Sequence, residues 1–340
     1  MSTGERRFER QVRFAPLGAA GQERLESARV LLVGCGALGG VLAQTLTRAG
    51  VGQLVLVDRD VVEISNLPRQ VLFEDRHAAA GTPKVEAARE TLARVGGPTR
   101  IEAHAVHLDA DNVADLAAGA DLVLDGTDNL ATRYLLNDFC VREGTPWVYG
   151  GVVGAGGLVL AVRPGVGACL RCVFPTPPAP GVLPTCDTAG VILPAVGVIA
   201  SMQAGLALRL IVDPDGLEPA LLELDAWSGT VRRVRAPRSP DCPTCARREF
   251  DWLTASTARQ TVVLCGRNAV QVRGSGRAAD LDLLEARLQR VARAVKRSGP
   301  MLRFEVEDHR LTLFPDGRAL VEGTESEERA LALYDRYVGS

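Results

Sequence analysis

Apolar residues occur in short runs along the first two thirds of the chain, with amphipathic stretches between them. Residues 30–33 (VLLV) read as a buried strand. A helical stretch follows, with Val41, Leu42, Thr45 and Leu46 at helical spacing, and then a second apolar run at 54–57 (LVLV). Strands are expected at 99–105, 121–125, 147–151 and 157–162, with two more inside 219–235. Helices are expected from Pro83-Lys84 to about 95 and from about 130 to 141, because proline suits a first helical turn. Residues 1–28 add a short helix ahead of the first strand. Strands alternating with helices predict an α/β fold with a Rossmann-like, mostly parallel sheet.

The pattern changes after residue 250. Residues 251–260 read as a linker, and 261–340 as a separate small α+β domain, leaving 1–250 as the main domain. In the small domain, 262–264 and 269–272 are short strands, and 280–297 a helix with Leu281, Leu284, Leu288, Val291 and Val295 on one face. Leu302, Phe304 and Val306 alternate, as do Leu311 and Leu313, and Leu320 follows the turn Pro315-Asp316-Gly317. A last helix covers about 325–338. One segment, 188–208, carries no charge, but Pro194, Ser201, Gln203 and its glycines lower its hydropathy. It reads as a buried helix rather than a membrane span.

The chemistry starts where the first run ends. Gly34, Gly36 and Gly39 form G-x-G-x-x-G directly between a strand and a helix, and Asp58 closes the second strand. In that context the motif is a nucleotide-binding βαβ unit. The first glycine allows the tight turn, the second admits a phosphate, and the helix N-terminus favours an anion. Asp58 can accept hydrogen bonds from a ribose. Taken alone, the pattern fits NAD, FAD or ATP. Beyond it come Asp60 and then Asn66, Arg69 and Gln70 in the run SNLPRQ; a polar Asn and an Arg there suit a polyphosphate, and a nicotinamide dehydrogenase does not need them. Lys84, at the positive end of its helix, is locally unfavourable unless an anion is near. Gly126-Thr127-Asp128-Asn129 follows the strand at 121–125; Asp128 can hold Mg²⁺ or cap the next helix.

Composition narrows the class. The chain has 340 residues, 46% hydrophobic and 4% aromatic, so its core is aliphatic. A net charge of −2 supplies no global field for nucleic acid or an anionic membrane. The N-terminus is polar and charged, unlike a signal peptide, so a cytoplasmic protein is expected. Its eight cysteines then need a role other than disulfides. Four stand in two C-x-x-C pairs, Cys169/Cys172 and Cys242/Cys245, which together complete a tetrahedral, closed and therefore structural zinc site. Cys186 follows a proline-rich loop and precedes the apolar helix, where a thiol has a lowered pKa. Cys35 and Cys140 look like packing residues, and Cys265 and His309 like ordinary ones.

With these residues in place, positions 6–248 resemble the ThiF/MoeB-type adenylyltransferases, relatives of the ubiquitin-activating enzymes. The resemblance rests on FERQ, GCGALGG, D-R-D, SNLPRQ, GTPKVEAAR, LDGTDN, CLRC, TCDTAGV with PAVGVIASMQA, and CPTC, all in the family's order. It implies adenylation of the C-terminal glycine of a ubiquitin-like sulfur-carrier protein with MgATP, usually by a homodimer. It implies that Asp58 holds the ribose, that Asn66, Arg69 and Lys84 hold the phosphates, and that Asp128 holds Mg²⁺. Arg10 would reach the partner subunit's site, and Cys186 matches the cysteine that one branch links to its carrier. The small C-terminal domain is shorter than the sulfurtransferase domain of some relatives, which leaves a sulfurtransferase or cysteine desulfurase as a separate sulfur source. The rival readings are an adenylating relative acting on tRNA or another carboxylate, an NAD-dependent oxidoreductase, and a non-catalytic adaptor.

Overall fold

A computed structural model describes residues 7–176, 189–218, 220–254, 261–264, 268–273 and 279–338. The chain divides into two compact units, Met1–Ala255 and Ser256–Ser340.

The first unit is built on an eight-stranded sheet in the order β3-β2-β1-β4-β5-β6-β7-β8. The strands are β1 (Arg29–Val33), β2 (Gln53–Val57), β3 (Arg100–His104), β4 (Leu122–Asp125), β5 (Trp147–Val153), β6 (Gly156–Val162), β7 (Leu221–Asp225) and β8 (Thr230–Val234). β1 to β5 are parallel, and β6 to β8 continue antiparallel. Strand order reverses at β1, whose neighbours are β2 and β4. The register sets Val33 opposite both Val57 and Asp125, so three strand ends finish at one level. Gly34, Asp58 and Gly126, the next residue of each strand, therefore meet at the crevice where open parallel sheets bind ligands.

β1, β2 and β4 are buried on both faces, which explains their unbroken apolar runs. Leu32, Leu54 and Leu56 pack towards helices α1 (Gly18–Ser27), α2 (Ala37–Ala49), α3 (Lys84–Val95) and α5 (Leu193–Val212). Leu31, Val33, Val55 and Val57 pack on the other face, with Leu136 and Phe139 of α4 (Leu130–Glu143). The uncharged segment forms α5, which starts at Leu193 and lies against α1, α2, β5 and β6. It is long and apolar enough to cross a membrane, yet Ala195, Ile199, Ala200, Ala204 and Ala207 are fully buried within the unit. Gln203, on the same face, is completely buried.

The second unit has a six-stranded antiparallel sheet in the order β11-β12-β13-β14-β10-β9. These are β9 (Thr261–Leu264), β10 (Ala269–Val272), β11 (Arg293–Ser298), β12 (Met301–Val306), β13 (His309–Leu313) and β14 (Ala319–Glu322). Helices α6 (Leu281–Leu288) and α7 (Glu327–Tyr337) enclose a core of Val270, Phe304, Leu311, Leu313, Val321 and Leu333. The helix expected over 280–297 ends at Leu288. Residues Arg293–Ser298 pair instead with β12, joined by a two-residue turn in which Gly299 has φ +56°. A tight turn fixes register, and hydrogen bonds along β12 outweigh the helical spacing; Val291, expected on the apolar face, is 63% exposed between α6 and β11. In β14 the inward residues are Ala319 and Val321, while Leu320 is half-buried on the opposite face.

Ile199 lies where a Cβ on Gly157 would come within 2.7 Å of its side chain, so helix and sheet are in close contact there. Ile199→Ala is expected to cost about 2–5 kcal/mol of unfolding free energy, read from urea denaturation of the first unit.

Candidate active site

The glycine turn is shaped by backbone-to-backbone contact. Gly34 has φ +89°, donates its N–H to Val57 at 2.7 Å, and would place a Cβ 2.6 Å from the Gly126 carbonyl carbon. A Cβ on Gly39 would lie 1.8 Å from the Gly34 oxygen, and one on Gly126 2.6 Å from the same atom. Gly126 itself donates to the Val33 carbonyl at 2.7 Å. These approaches bring the start of α2 and the end of β4 onto one turn. At Gly36, the N-cap of α2, the nearest group a Cβ would meet is Gln70 Nε2 at 3.8 Å, so that side of the turn is open to a ligand.

Asp58 sits beside this turn. Its Oδ2 accepts the Cys35 N–H at 2.6 Å and its Oδ1 the Asp60 N–H at 2.8 Å. Burial pushes its carboxyl up, the Lys84 charge opposes this, and Asp60 adds to it. Each oxygen keeps a further lone pair, enough to accept ribose hydroxyls. Lys84 is 3% exposed; its ammonium pairs with Asp60 Oδ2 at 2.9 Å, and its N–H donates to the Asp60 carbonyl at 2.9 Å. Asp60 thus anchors the lysine at the first turn of α3, one layer from Asp58.

Asn66 is buried and its Oδ1 closes a 3-10 turn, Ile64–Asn66, by accepting the Glu63 N–H at 3.1 Å. Arg69 follows that turn; its N–H donates to the Asn66 carbonyl at 3.1 Å and its Nη1 to the Ser65 carbonyl at 2.7 Å. Asp128 is exposed in the loop after β4. The cap of α4 falls to Asn129, whose Oδ1 accepts the Thr132 N–H at 3.1 Å. The capping alternative read for Asp128 is thereby taken by its neighbour, and the Asp128 carboxylate is not spent on the helix.

Arg10 is not brought to this site within one chain. It stands exposed on the short helix Glu9–Val12. The adjacent Gln11 donates to the Ala49 carbonyl at 2.9 Å, at the end of α2 opposite the glycine turn. Thirteen helical residues separate the two ends by roughly 20 Å. Cys186 and Cys265 lie outside the described residues. Cys35 and Cys140 are fully buried, and burial pushes both thiols up, so they are inert packing residues.

Away from the nucleotide crevice, the Sγ atoms of Cys169, Cys172, Cys242 and Cys245 all lie within 4.8 Å of one another. Cys169 is 3.5 Å from Cys242 and 3.9 Å from Cys172, and Cys172 is 3.4 Å from Cys245. A tetrahedral ion bound at about 2.3 Å spaces its sulfurs about 3.8 Å apart, so the cluster fits such an ion. Helix α4 holds both knuckles: Asn137 accepts the Leu170 N–H at 2.9 Å, and Asp138 accepts the Thr244 hydroxyl at 2.8 Å and the Trp252 N–H at 3.1 Å.

Three buried polar side chains stand around the site: Gln70, the last residue of SNLPRQ, Gln203, within PAVGVIASMQA, and Arg133, which lies outside every motif. Gln70 is 4% exposed, and its Oε1 finds no hydrogen-bond partner among the described residues, so the group beside Gly36 has an unused acceptor. Arg133 pairs with the buried Asp125 at 3.0 Å, and Gln203 donates to the Asp125 carbonyl at 2.8 Å. The available signals were an arginine in the largely apolar first half of α4 and a glutamine inside the uncharged segment.

Residues 8–244 match the family model described as the ThiF family. The chain is 38% identical over 336 residues to the sulfur carrier protein ThiS adenylyltransferase of Bacillus subtilis, covering 98% of this chain and 99% of that protein. It is 41% identical over 246 residues to the SAMP-activating enzyme E1 of Haloferax volcanii, covering 72% and 90%. Among solved structures, the MccB protein of E. coli superposes with a TM-score of 0.63 at 22% identity, over 73% of this chain and 74% of that one, a likeness of fold.

Cys172→Ser is expected to remove metal from the purified protein and to lower its melting temperature in the same step. Metal analysis and calorimetry check this together, with about one ion per chain in the wild type.

Proposed function

The chain belongs to the ThiF family, and from that premise we propose that its substrate is the terminal glycine carboxylate of a small ubiquitin-like sulfur carrier ending in Gly-Gly. The protein is an adenylyltransferase: it joins a carboxylate to the adenylyl group of ATP and releases pyrophosphate. The observation that carries the reading is the conjunction at one sheet end of a glycine turn, a ribose-type carboxylate in Asp58 and a buried lysine in Lys84. The relative from Bacillus subtilis, similar along nearly the whole chain, is named for adenylation of a carrier.

In this reading the glycine turn and the N-terminus of α2 receive phosphate oxygens, and Asp58 holds the ribose. The carrier's carboxylate is already ionised, so attack on the α-phosphorus needs no general base. The barrier is anion repulsion and charge gathering on the phosphoryl oxygens, and pre-placed cations lower it. Lys84, Arg69 and the amide of Asn66 supply that charge and hydrogen bonding to the phosphates. Asp60 now pairs with Lys84, and binding of ATP trades part of that pairing for phosphate contact. Asp128, with Asn129 beside it, would hold Mg²⁺, which neutralises the departing pyrophosphate.

The cysteine cluster would hold a structural zinc with four thiolates and no open position. Cytoplasmic residence suits four reduced thiols at such a site. Arg10, about a helix length from its own crevice, would act in the crevice of a second copy, making the working form a homodimer. After activation, Cys186 would accept the carrier, and a separate sulfurtransferase or cysteine desulfurase would supply the sulfur. The NAD-dependent and adaptor readings leave Lys84, Arg69 and Asp128 without a task, and no observation favours tRNA.

With a Gly-Gly-ended carrier and MgATP, the protein is expected to exchange labelled pyrophosphate into ATP. Lys84→Ala and Asp128→Ala should each lower exchange by about two orders of magnitude while the fold persists. Wild-type rates in both variants would exclude this assignment of the phosphate groups. Mixing Arg10→Ala with Asp128→Ala, after subunit exchange has been demonstrated, should restore part of the activity, because one hybrid site then carries both native groups. No recovery would place Arg10 outside the partner's site.

A further inference from the structure

The loop that carries Asp128 is gripped by a side chain that no motif singled out. Arg133 projects from the first turn of α4 into the gap between β4 and β5, with its side chain only 10% exposed. Its Nε donates to Asp125 Oδ2 at 3.0 Å, and its Nη2 donates to the Thr127 carbonyl at 2.6 Å and the Gly150 carbonyl at 3.0 Å. The guanidinium lies 5.1 Å over the ring of Tyr149. Asp125 Oδ1 in turn accepts both the N–H and the hydroxyl of Thr127, at 2.9 and 2.7 Å. From the opposite side Gln203 donates to the Asp125 carbonyl, and the absence of a side chain at Gly150 makes room for it: a Cβ there would lie 2.2 Å from Gln203. The turn leading to Asp128 is therefore held at the Asp125 carboxylate and the Thr127 carbonyl, and tied to β5 at the Gly150 carbonyl, by one planar, always-charged fork.

We propose that Arg133, backed by Gln203, is a positioning residue for adenylyl transfer: it sets the conformation of residues 125–128 so that the Asp128 carboxylate stands at the crevice ready for the magnesium of MgATP. The inference rests on the reading of Asp128 as a magnesium ligand. Arg133 is buried beneath the loop, so it acts through Asp128 and not on the nucleotide. A lysine keeps the charge but cannot span three acceptors with fixed angles, so Arg133→Lys separates geometry from charge.

The test measures binding of ATP by titration calorimetry, with and without Mg²⁺, and takes the ratio of the two affinities. Asp128→Ala should collapse the gain that Mg²⁺ gives. Arg133→Lys should reduce that gain by about tenfold, a loss of the size expected from misplacing one ligand group, while ATP without Mg²⁺ binds as in the wild type. Phe139→Leu, which disturbs the buried side of the same helix, should lower stability and leave the ratio unchanged. A wild-type ratio in Arg133→Lys beside a collapsed one in Asp128→Ala overturns the positioning role and leaves the Asp128 reading standing. A wild-type ratio in Asp128→Ala overturns that reading and the positioning role with it. An equal shift in Phe139→Leu also overturns the proposal, because any loosening of the helix would then suffice. If Arg133→Lys does not fold, Gln203→Met removes the second grip on Asp125; it is expected to reduce the ratio, and a wild-type value there overturns the proposal.

Discussion

The structure depends on three backbones meeting where β1 and β4 end. Gly34, Gly39 and Gly126 approach so closely that a Cβ on any of them would overlap another chain segment. This contact sets α2 with its N-terminus at the switch point, and it does so only because the strand register ends β1, β2 and β4 at one level. The proposed phosphate contacts rest on that placement, since α2 then turns its N-terminus towards the crevice. Everything else at the site is arranged around this fixed point: Asp58 on the Cys35 amide, Lys84 on Asp60, and the Asp128 loop on Gly126.

Helix α4 does a second job. Its Arg133 reaches the loop that carries Asp128, and about one turn on, Asn137 and Asp138 hold the two cysteine knuckles. A buried ion pair such as Arg133–Asp125 is weak evidence for stability, because desolvation offsets its attraction. Its geometry is the informative part, since the fork defines one conformation of the loop. The cysteine knuckles are held at the middle of the same helix, so the cysteine cluster and the Asp128 loop share one element.

Much of this was legible in the sequence because the information is local. The unbroken runs at 30–33 and 54–57 exist because those strands are covered on both faces, and G-x-G-x-x-G encodes a turn within six residues. The C-x-x-C pairs were readable because thiolate spacing carries the chemistry, although their meeting spans 73 residues. The helix read over 280–297 was not: Val291 and Val295 keep helical spacing, yet a turn at Gly299 and an edge on β12 recruited that stretch into a strand. The joint role of Arg133 and Gln203 was not legible for a related reason. Their common partner Asp125 is 8 and 78 residues away, and only the fold brings them together.

On the proposed reading, the crevice at the end of β1 and β4 transfers the adenylyl group of ATP to a carrier's terminal carboxylate. Intact-mass spectrometry of a Gly-Gly-ended carrier, quenched in acid after incubation with the protein and MgATP, tests it most directly. The carrier is expected to gain the mass of one adenylyl group, and a carrier lacking the last glycine is not. An unmodified carrier with ATP consumed to ADP, or with no ATP consumed, would contradict it.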